Sequence, residues 1–319
     1  MDKLVSIVLV TYNSSRYVIE ALESIRKQTY PNIELVISDD CSSDDTVEIC
    51  EKWVEDKGCR FSRVVILQHP YNTGISANFN RGFKVSKGSW IKILAGDDIL
   101  LENCISDNVN YIMRNHDARV VQSNTYLIDE DSNIIGNAIP IDELFKIAPP
   151  ELQFDFFVLT YSCNTTTLFI ERELLQEIGW IDEEIKMMED TQLYVRLTQK
   201  GIRLCFFDSI TTGYRQNFSS VSHDDRNNTI FFPSIYKYTI ETYNKYVIPN
   251  IKGVKRIILR YWLLIIQFFL VNPSFNTKTR ATTIVYHFLI IPYILVNKFM
   301  IEITRRRIRK TINKQDSQK

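Results

Sequence analysis

The sequence predicts an α/β fold: a Rossmann-like, mainly parallel sheet flanked by helices, followed by a helical C-terminal extension. Three observations predict it. Short apolar runs alternate with helix-period segments through the first 115 residues. Acidic pairs stand directly after two of those runs. Beyond Asn227 the strand signals stop, and long apolar stretches flanked by cations take over.

Leu4–Val10 (LVSIVLV) is almost unbroken in its apolarity, as a strand buried on both faces requires. A helical stripe of Tyr17, Val18, Ala21, Leu22 and Ile25 follows, then a second buried strand at Ile33–Ile37. Ser42 and Ser43 offer N-caps to a helix carrying Val47, Cys50 and Val54. Val64–Leu67 reads as the third strand, residues 76–86 as a helix and Trp90–Leu94 as the fourth strand. Asn103–Asn115 is helical, with Ile105, Val109, Ile112 and Met113 expected to face inward. This order implies parallel pairing through right-handed crossovers. Farther on, Thr125–Asp129 and Ile134–Ile135 flank a hairpin turn, and Thr165–Ile170 is a strand leading to a short helix that Gly179 ends. Asp190–Lys200 is an amphipathic helix stopped by Gly201, and Leu204–Phe207 and Thr211–Arg215 read as two short strands. Residues 130–165 carry no readable motif.

The 319 residues are 24% charged and 45% hydrophobic, which excludes wholesale disorder; only ten are Gly, which excludes collagen-like and linker compositions. The six Cys lie far apart without a C-x-x-C, so neither a zinc site nor a disulfide scaffold is indicated. The opening apolar run is too short for a signal peptide, and the expected compartment is reducing. The net charge of zero is a balance of opposites. From Lys252 onward there are 14 basic and 2 acidic residues, leaving 24 basic and 36 acidic residues before it.

In an open parallel sheet, ligands bind beyond the carboxyl ends of the strands. The four strands are followed by Thr11-Tyr12-Asn13, by Ser38-Asp39-Asp40, by His69 through Gly74, and by Ala95-Gly96-Asp97-Asp98. Twenty Asp would give about one adjacent pair by chance, as composition background; four occur, two of them at strand ends. Taken singly, such acids are ordinary helix-capping and first-turn residues; at adjacent strand ends they read as a site. Glycine-rich dinucleotide and P-loop cradles are missing. A diphosphate would then need a divalent cation held by carboxylates, with Mg²⁺ and Mn²⁺ suited to one or two of them, and Asp97-Asp98 the best candidate.

The stretch VSIVLVTYNSSRYVIEALESIRKQTYPNIELVISDDCSSDDT resembles the opening of glycosyltransferase family 2. The resemblance continues through Asn72-Thr73-Gly74, Asn80-Arg81-Gly82, Lys87 to Trp90, Ala95 to Asp98, Glu189-Asp190, Arg196, Gly201 and Tyr214-Arg215, covering residues 3–222. It implies the GT-A fold and inverting transfer of a sugar from a nucleoside diphosphate. By that resemblance the Val10 backbone and Tyr12 line the base pocket, and Asp40 accepts the pyrimidine N–H, which favours UDP or dTDP donors. Asn72 and Asp97 bind the donor and Asp98 the metal, while Tyr214, Arg215 and Ser219–Ser222 close over the diphosphate. Asp190 is the general base, with Glu189 beside it. The chemistry is consistent: a hydroxyl attacking in line at neutral pH needs a carboxylate to take its proton, and the departing diphosphate needs its charge offset. Where the family often has a further Asp, this chain has Ala95; Phe79 precedes Asn80 where Arg is frequent; Asn217 stands where some members have His. His223 reads as an ordinary surface or hydrogen-bonded residue.

The expected organisation is a catalytic domain over 1–225, its nucleotide-binding half about 1–100 and its acceptor half 101–225, then a basic helical region over 226–319. Trp262–Val271 and Ile284–Ile301 are apolar but broken by polar residues, and cations flank them at Lys252, Lys255, Arg256 and Arg260, and again from Arg305 to Lys310. An apolar, basic tail matches an anionic membrane surface rather than nucleic acid; packing on the catalytic domain or in a homo-oligomer is the alternative. The expected enzyme is cytoplasmic, peripheral on the inner face of the membrane, acting on a glycan or lipid-linked acceptor. A sugar nucleotidyltransferase and a non-catalytic nucleotide-sugar-binding relative are the competing readings. Thr11–Arg16 has no glycine, against the first, and the retained Asp40, Asp98 and Asp190 count against the second.

Overall fold

The structure is a computed structural model that describes residues 3–138, 141–160, 163, 165–216 and 228–316. The chain forms two compact units. The first comprises Met1–Ile141, Cys163–Glu189 and Ile202–Gln216; the second comprises Asp142–Ser162, Asp190–Gly201 and Asn217–Lys319. The division differs from a single boundary near residue 226. Two inner segments join the helical unit as well, because their apolar side chains pack within it.

In chain order the first unit runs β1 (Val5–Thr11), α1 (Val18–Arg26), β2 (Ile33–Asp39), α2 (Thr46–Lys57), β3 (Arg63–Gln68), α3 (Ile75–Val85), β4 (Trp90–Ala95), β5 (Ile99–Leu100), α4 (Cys104–Arg114), β6 (Val120–Ile128) and β7 (Ile134–Asn137). The second unit then takes α5 (Glu143–Ile147) and α6 (Pro150–Thr160), and the first resumes with β8 (Phe169–Glu171) and α7 (Arg172–Glu177). Helix α8 (Glu189–Gln199) enters the second unit at Asp190, and β9 (Cys205–Arg215) closes the sheet. The strand order is β3-β2-β1-β4-β8-β6-β9-β5, with β7 paired to β6. The first four strands are parallel, as the β-α alternation requires. The later part is mixed: β8 is antiparallel to β4 and β6, and β9 is parallel to β6.

Strands β1 and β2 are buried along their whole length. Val5, Ile7 and Leu9 face the core shared with α1, α2 and α4, together with Trp53, Trp90 and Ile105. Val8 faces α3, where a Cβ at Gly82 would come within 2.3 Å of Val8 Cγ1; only glycine lets the helix approach that closely. Several local expectations are corrected. Met113 is 54% exposed, because buried Asn108, whose amide donates to the Cys104 carbonyl, holds the inward stripe with Cys104, Ile105 and Ile112. Ser42 and Ser43 do not cap α2; Ser42 serves Asp39, and the Asp44 carboxylate accepts from the Thr46 N–H. Thr165–Thr167 is a 3₁₀ turn, leaving β8 only three residues. The two strands expected at 204–215 are one, which bends where its register with β6 shifts.

Lys92 interrupts the core face of β4 opposite Ile7. It is fully buried, and its ammonium donates to the carbonyls of Ile93 (2.8 Å) and Thr166. Those carbonyls tie β4 to the 3₁₀ turn.

The second unit is helical. It continues with α9 (Pro233–Thr242), α10 (Gly253–Val271), α11 (Pro273–Asn276) and α12 (Arg280–Asp316). Helices α10 and α12 pack through Trp262 stacked on Tyr293 (5.6 Å) and the Tyr261 hydroxyl on the Leu289 carbonyl (2.6 Å). The amide of Asn297 ties α12 to the Leu159 carbonyl of α6. Helix α12 runs unbroken through Pro292 and is long and apolar enough to cross a membrane by length and composition.

Burial lowers the Lys92 pKa to about 8, while the coulombic effects of Cys104 and Asp98 oppose the drop. The unfolded chain therefore binds the proton more tightly between about pH 8 and the ordinary lysine range. Stability should rise across that interval by about 1 kcal/mol per pH unit. Urea denaturation at pH 8 and pH 10 should show the rise in the wild type and not in Lys92→Met. Equal slopes would contradict a lysine held in the core.

Candidate active site

Strand register sets the site. Thr11 pairs with Asp39, and Val10 with Ala95, so β1, β2 and β4 end level and their loops emerge side by side. Asp39 is the organiser of the first two loops. Its carboxylate accepts from Thr11 Oγ1 (2.8 Å), the Ser42 N–H (2.8 Å) and Ser42 Oγ (2.5 Å). The Asn13 N–H donates to Ser42 Oγ, and the Ser43 N–H returns a bond to Asn13 Oδ1, both at 2.8 Å. Asn13 (φ 50°) and Cys41 (φ 69°) adopt left-handed backbone to make these turns. The loop so fixed carries Tyr12, 51% exposed beyond the buried Val10.

Asp40, beside it, is 2% exposed and points the other way. Thr73 Oγ1 and Arg81 Nη2 each donate to Oδ1 at 2.6 Å; the N–H groups of Thr73 and Gly74 donate to Oδ2 at 3.0 and 2.8 Å. Burial alone would raise its pKa. The Thr73 and Arg81 side chains and the two backbone donors outweigh that, and the carboxyl lies below its ordinary range. Gly74 is required for this hold: its φ is +93°, and a Cβ would meet Lys186 Cβ at 2.8 Å. Arg81 also donates to Thr73 Oγ1 (2.6 Å) and Asn78 Oδ1 (3.0 Å), so one cation knits the β3–α3 loop to the end of β2. Asn72 is exposed on that loop.

Asp98 has the opposite setting. It is 2% exposed, and its Oδ1 accepts the Arg215 backbone N–H at 2.9 Å. Burial and the neighbouring Asp97 charge push its pKa well above the carboxylate range, more than the Arg215 N–H, Lys92 and Arg215 charges pull it down. A Cβ at Gly96 would meet Ser14 Oγ at 2.8 Å, so the Asp97-Asp98 turn sits against the Tyr12 loop only because that residue is glycine. The donor set of Asp98 with half-buried Asp97 fits a hard divalent cation that takes its other ligands from substrate phosphates and water. Among the described residues no group of three His, Cys, Asp or Glu side chains could hold such an ion alone.

The strand alternation of β9 turns Tyr214 outward, 38% exposed, and Arg215 inward, 1% exposed. All the guanidinium donors are engaged. Nε reaches the Asp97 carbonyl (2.7 Å), Nη1 the Asp129 and Glu130 carbonyls (2.8 and 3.2 Å), and Nη2 both Glu20 Oε2 (2.7 Å) and Ser132 Oγ (2.9 Å). The ring of Tyr17 covers its face at 4.4 Å. The sequence reading set Arg215 over a diphosphate; here its side chain is turned in to bind the Asp97-Asp98 turn, the β6–β7 turn and α1 together. Sequence reasoning missed Glu20 and Ser132 as its partners. It also missed the Arg81–Asp40 pair, for which Asn80-Arg81-Gly82 was the available signal.

Glu189 ends a segment of the first unit, after Met188 in left-handed backbone (φ 66°). Asp190, half-buried, opens the second unit's share of α8 and accepts from the Thr191 N–H and hydroxyl. The expected Ser219–Ser222 closure, Asn217 and His223 lie outside the described residues.

Asp40→Asn should cost about 3 kcal/mol at pH 7, since it leaves Arg81 without its buried partner. Because the native pKa is depressed, wild-type Asp40 stabilises above the ordinary carboxylate range, and that contribution vanishes as pH falls through its own lower value. Denaturation midpoints should thus differ at pH 7, and the difference should shrink as pH falls below the ordinary carboxylate range. A difference independent of pH would contradict an ionised Asp40.

Comparison with known proteins places this geometry. Residues 6–179 match the family model described as glycosyl transferase family 2. The UDP-Glc:alpha-D-GlcNAc-diphosphoundecaprenol beta-1,3-glucosyltransferase WfaP of Escherichia coli is 30% identical over 222 residues, 69% of this chain and 80% of that protein. The poly(ribitol-phosphate) beta-N-acetylglucosaminyltransferase TarS of Staphylococcus aureus is 26% identical over 187 residues, 58% of this chain and 30% of that protein. In structure, the crystal form of TarS residues 1–349 in complex with UDP-GlcNAc superposes with a TM-score of 0.62 at 18% identity, over 98% of this chain and 92% of that one, a likeness of fold. The family match spans more than half of the chain and the strand-end loops described above. The chain belongs to glycosyl transferase family 2, and it is a glycosyltransferase of GT-A fold.

Proposed function

We propose that this enzyme inverts the anomeric centre while moving a sugar from a uridine or thymidine diphosphate donor to a hydroxyl of a glycan or lipid-linked saccharide. We place it in surface-polysaccharide synthesis, peripheral on the cytoplasmic face of the membrane. The observation that carries the reading is the contrast between two strand-end carboxylates. Asp40 is held ionised by four donors. Asp98, buried next to Asp97, has a raised pKa and gains most from a cation. The similarity to WfaP, named for UDP-Glc and a diphosphoundecaprenol-linked sugar, and to TarS, named for poly(ribitol-phosphate), supports the donor and acceptor classes.

In this reading the Val10 backbone and Tyr12 receive the base, Asn72, Asp97 and Tyr214 shape the ribose and diphosphate sites, and Arg215 acts only by holding the Asp97-Asp98 turn in place. Both Asp40 oxygens are fully subscribed, so a pyrimidine N–H displaces one donor. Arg81, a side-chain donor with a phosphate to move to, is the one that yields. Mg²⁺ or Mn²⁺ held by Asp98 supplies charge neutralisation for the diphosphate. Asp190, with Glu189 beside it, takes the acceptor hydroxyl's proton. The hydroxyl oxygen bonds to the anomeric carbon as the carbon–oxygen bond to the diphosphate breaks, and the electron pair leaves with the diphosphate.

The test is release of UDP from UDP-glucose and UDP-GlcNAc in the presence of Mn²⁺. Asp190→Asn should lower kcat by about 10²–10⁴-fold, the usual contribution of a general base, while leaving UDP affinity within about twofold. Full turnover in that variant would remove Asp190 from the chemistry.

A further inference from the structure

The second unit carries an apolar face that none of its described residues covers. On α12, Ile284 (70% exposed), Phe288 (78%), Ile291, Leu295 and Phe299 follow one another at spacings of four, three, four and four. At about 100° per residue they fall within about 80° of the helix circumference. The opposite side of α12 is committed to protein: Ile290 is buried, Tyr293 stacks on Trp262, and Asn297 donates to the Leu159 carbonyl. The apolar stripe contains no Asp, Glu, Lys or Arg from Ala281 to Asn297.

The cations gather at one end of it. Asp155 accepts Lys255 from α10 and Arg307 from α12 (2.8 Å), so the basic N-terminal end of α10 and the basic C-terminal part of α12 lie at the same end of the helix pair. Arg306 and Arg309 there keep side-chain exposures of 71% and 59%, and Arg260 and Lys310 are exposed too.

We infer that α12 lies in the plane of an anionic bilayer surface, with the Ile284–Phe299 stripe among the acyl chains of one leaflet and the exposed cations on the headgroups. This rests on the membrane-proximal reading above and gives it an element and an orientation. Length and composition alone would also allow α12 to span. Spanning would carry the protein-packed half of the helix into lipid, and with it α6, whose Asp155 binds two cations. A one-sided apolar stripe with a strongly basic flank is the pattern of an interfacial helix. A second copy of the chain is the other conceivable occupant. Two copies would bring equally basic regions together, whereas an anionic leaflet attracts every exposed Lys and Arg.

The experiment is cosedimentation of the full chain with phosphatidylglycerol/phosphatidylcholine vesicles, with UDP-sugar hydrolysis measured on the same preparations without lipid. The wild type should bind at low salt, bind phosphatidylcholine vesicles at least tenfold more weakly, and be released by alkaline carbonate. Phe288→Glu/Leu295→Glu should lose at least tenfold in binding with hydrolysis unchanged, since both side chains are exposed. Binding unaffected by that pair, or absent, would overturn the inference, as would a dimer abolished by the pair in a protein that ignores vesicles. Resistance to carbonate would overturn the in-plane orientation. Hydrolysis is read without vesicles, so its absence in the wild type would count against the catalytic reading instead.

Discussion

A buried guanidinium must give all its N–H groups to acceptors, because none can reach water and each orphan costs about 1–3 kcal/mol or more. Arg215 meets that demand with carbonyls from two turns and with side chains of α1 and the β6–β7 turn. The Asp97-Asp98 turn is thereby fixed at the end of β4. Asp98 is further tied by the same residue's backbone N–H. The position of Asp98, the proposed cation ligand, thus depends on a residue over a hundred positions later in the chain.

Asp40 is fixed by the converse arrangement, an anion surrounded by donors. The two acids, similar in sequence context, therefore differ in setting: donors hold the Asp40 carboxyl below its ordinary range, while burial and the Asp97 charge push that of Asp98 well above it. Separation of pKa values within one group of carboxylates is how a single site divides roles. Both settings depend on glycines, Gly74 and Gly96, which let loops approach where any side chain would collide.

Much of this was legible in the residues. Strands β1, β2 and β4 announce themselves because strands buried on both faces are largely apolar, and the acidic pairs after two of them mark the sheet edge. Helix α4 shows the limit: Asn108 replaces a hydrophobic residue in the buried stripe because it can bond to its own helix, and composition cannot see that bond. Nor can it see that Ser42 turns back to Asp39 rather than forward to a helix. The inward turn of Arg215 depends on strand parity and on partners scattered from Glu20 to Ser132, none near Arg215 in sequence. Helices α5 and α6 went unread since α6 is apolar on nearly every side, with buried Leu152, Phe154, Phe156, Phe157, Val158 and Leu159, and so lacks periodicity.

The charge asymmetry acquires a physical basis in the second unit, where cations gather at one end of a helix pair whose outer face is apolar. The first unit keeps the strand-end acids Asp39, Asp40, Asp97 and Asp98. The most direct test of the whole account is calorimetric titration of UDP into the protein with and without Mn²⁺, for the wild type and for Asp98→Asn. Mn²⁺ should tighten UDP binding by tenfold or more in the wild type and have no effect in the variant. UDP binding indifferent both to the cation and to the substitution, or no binding at all, would contradict it.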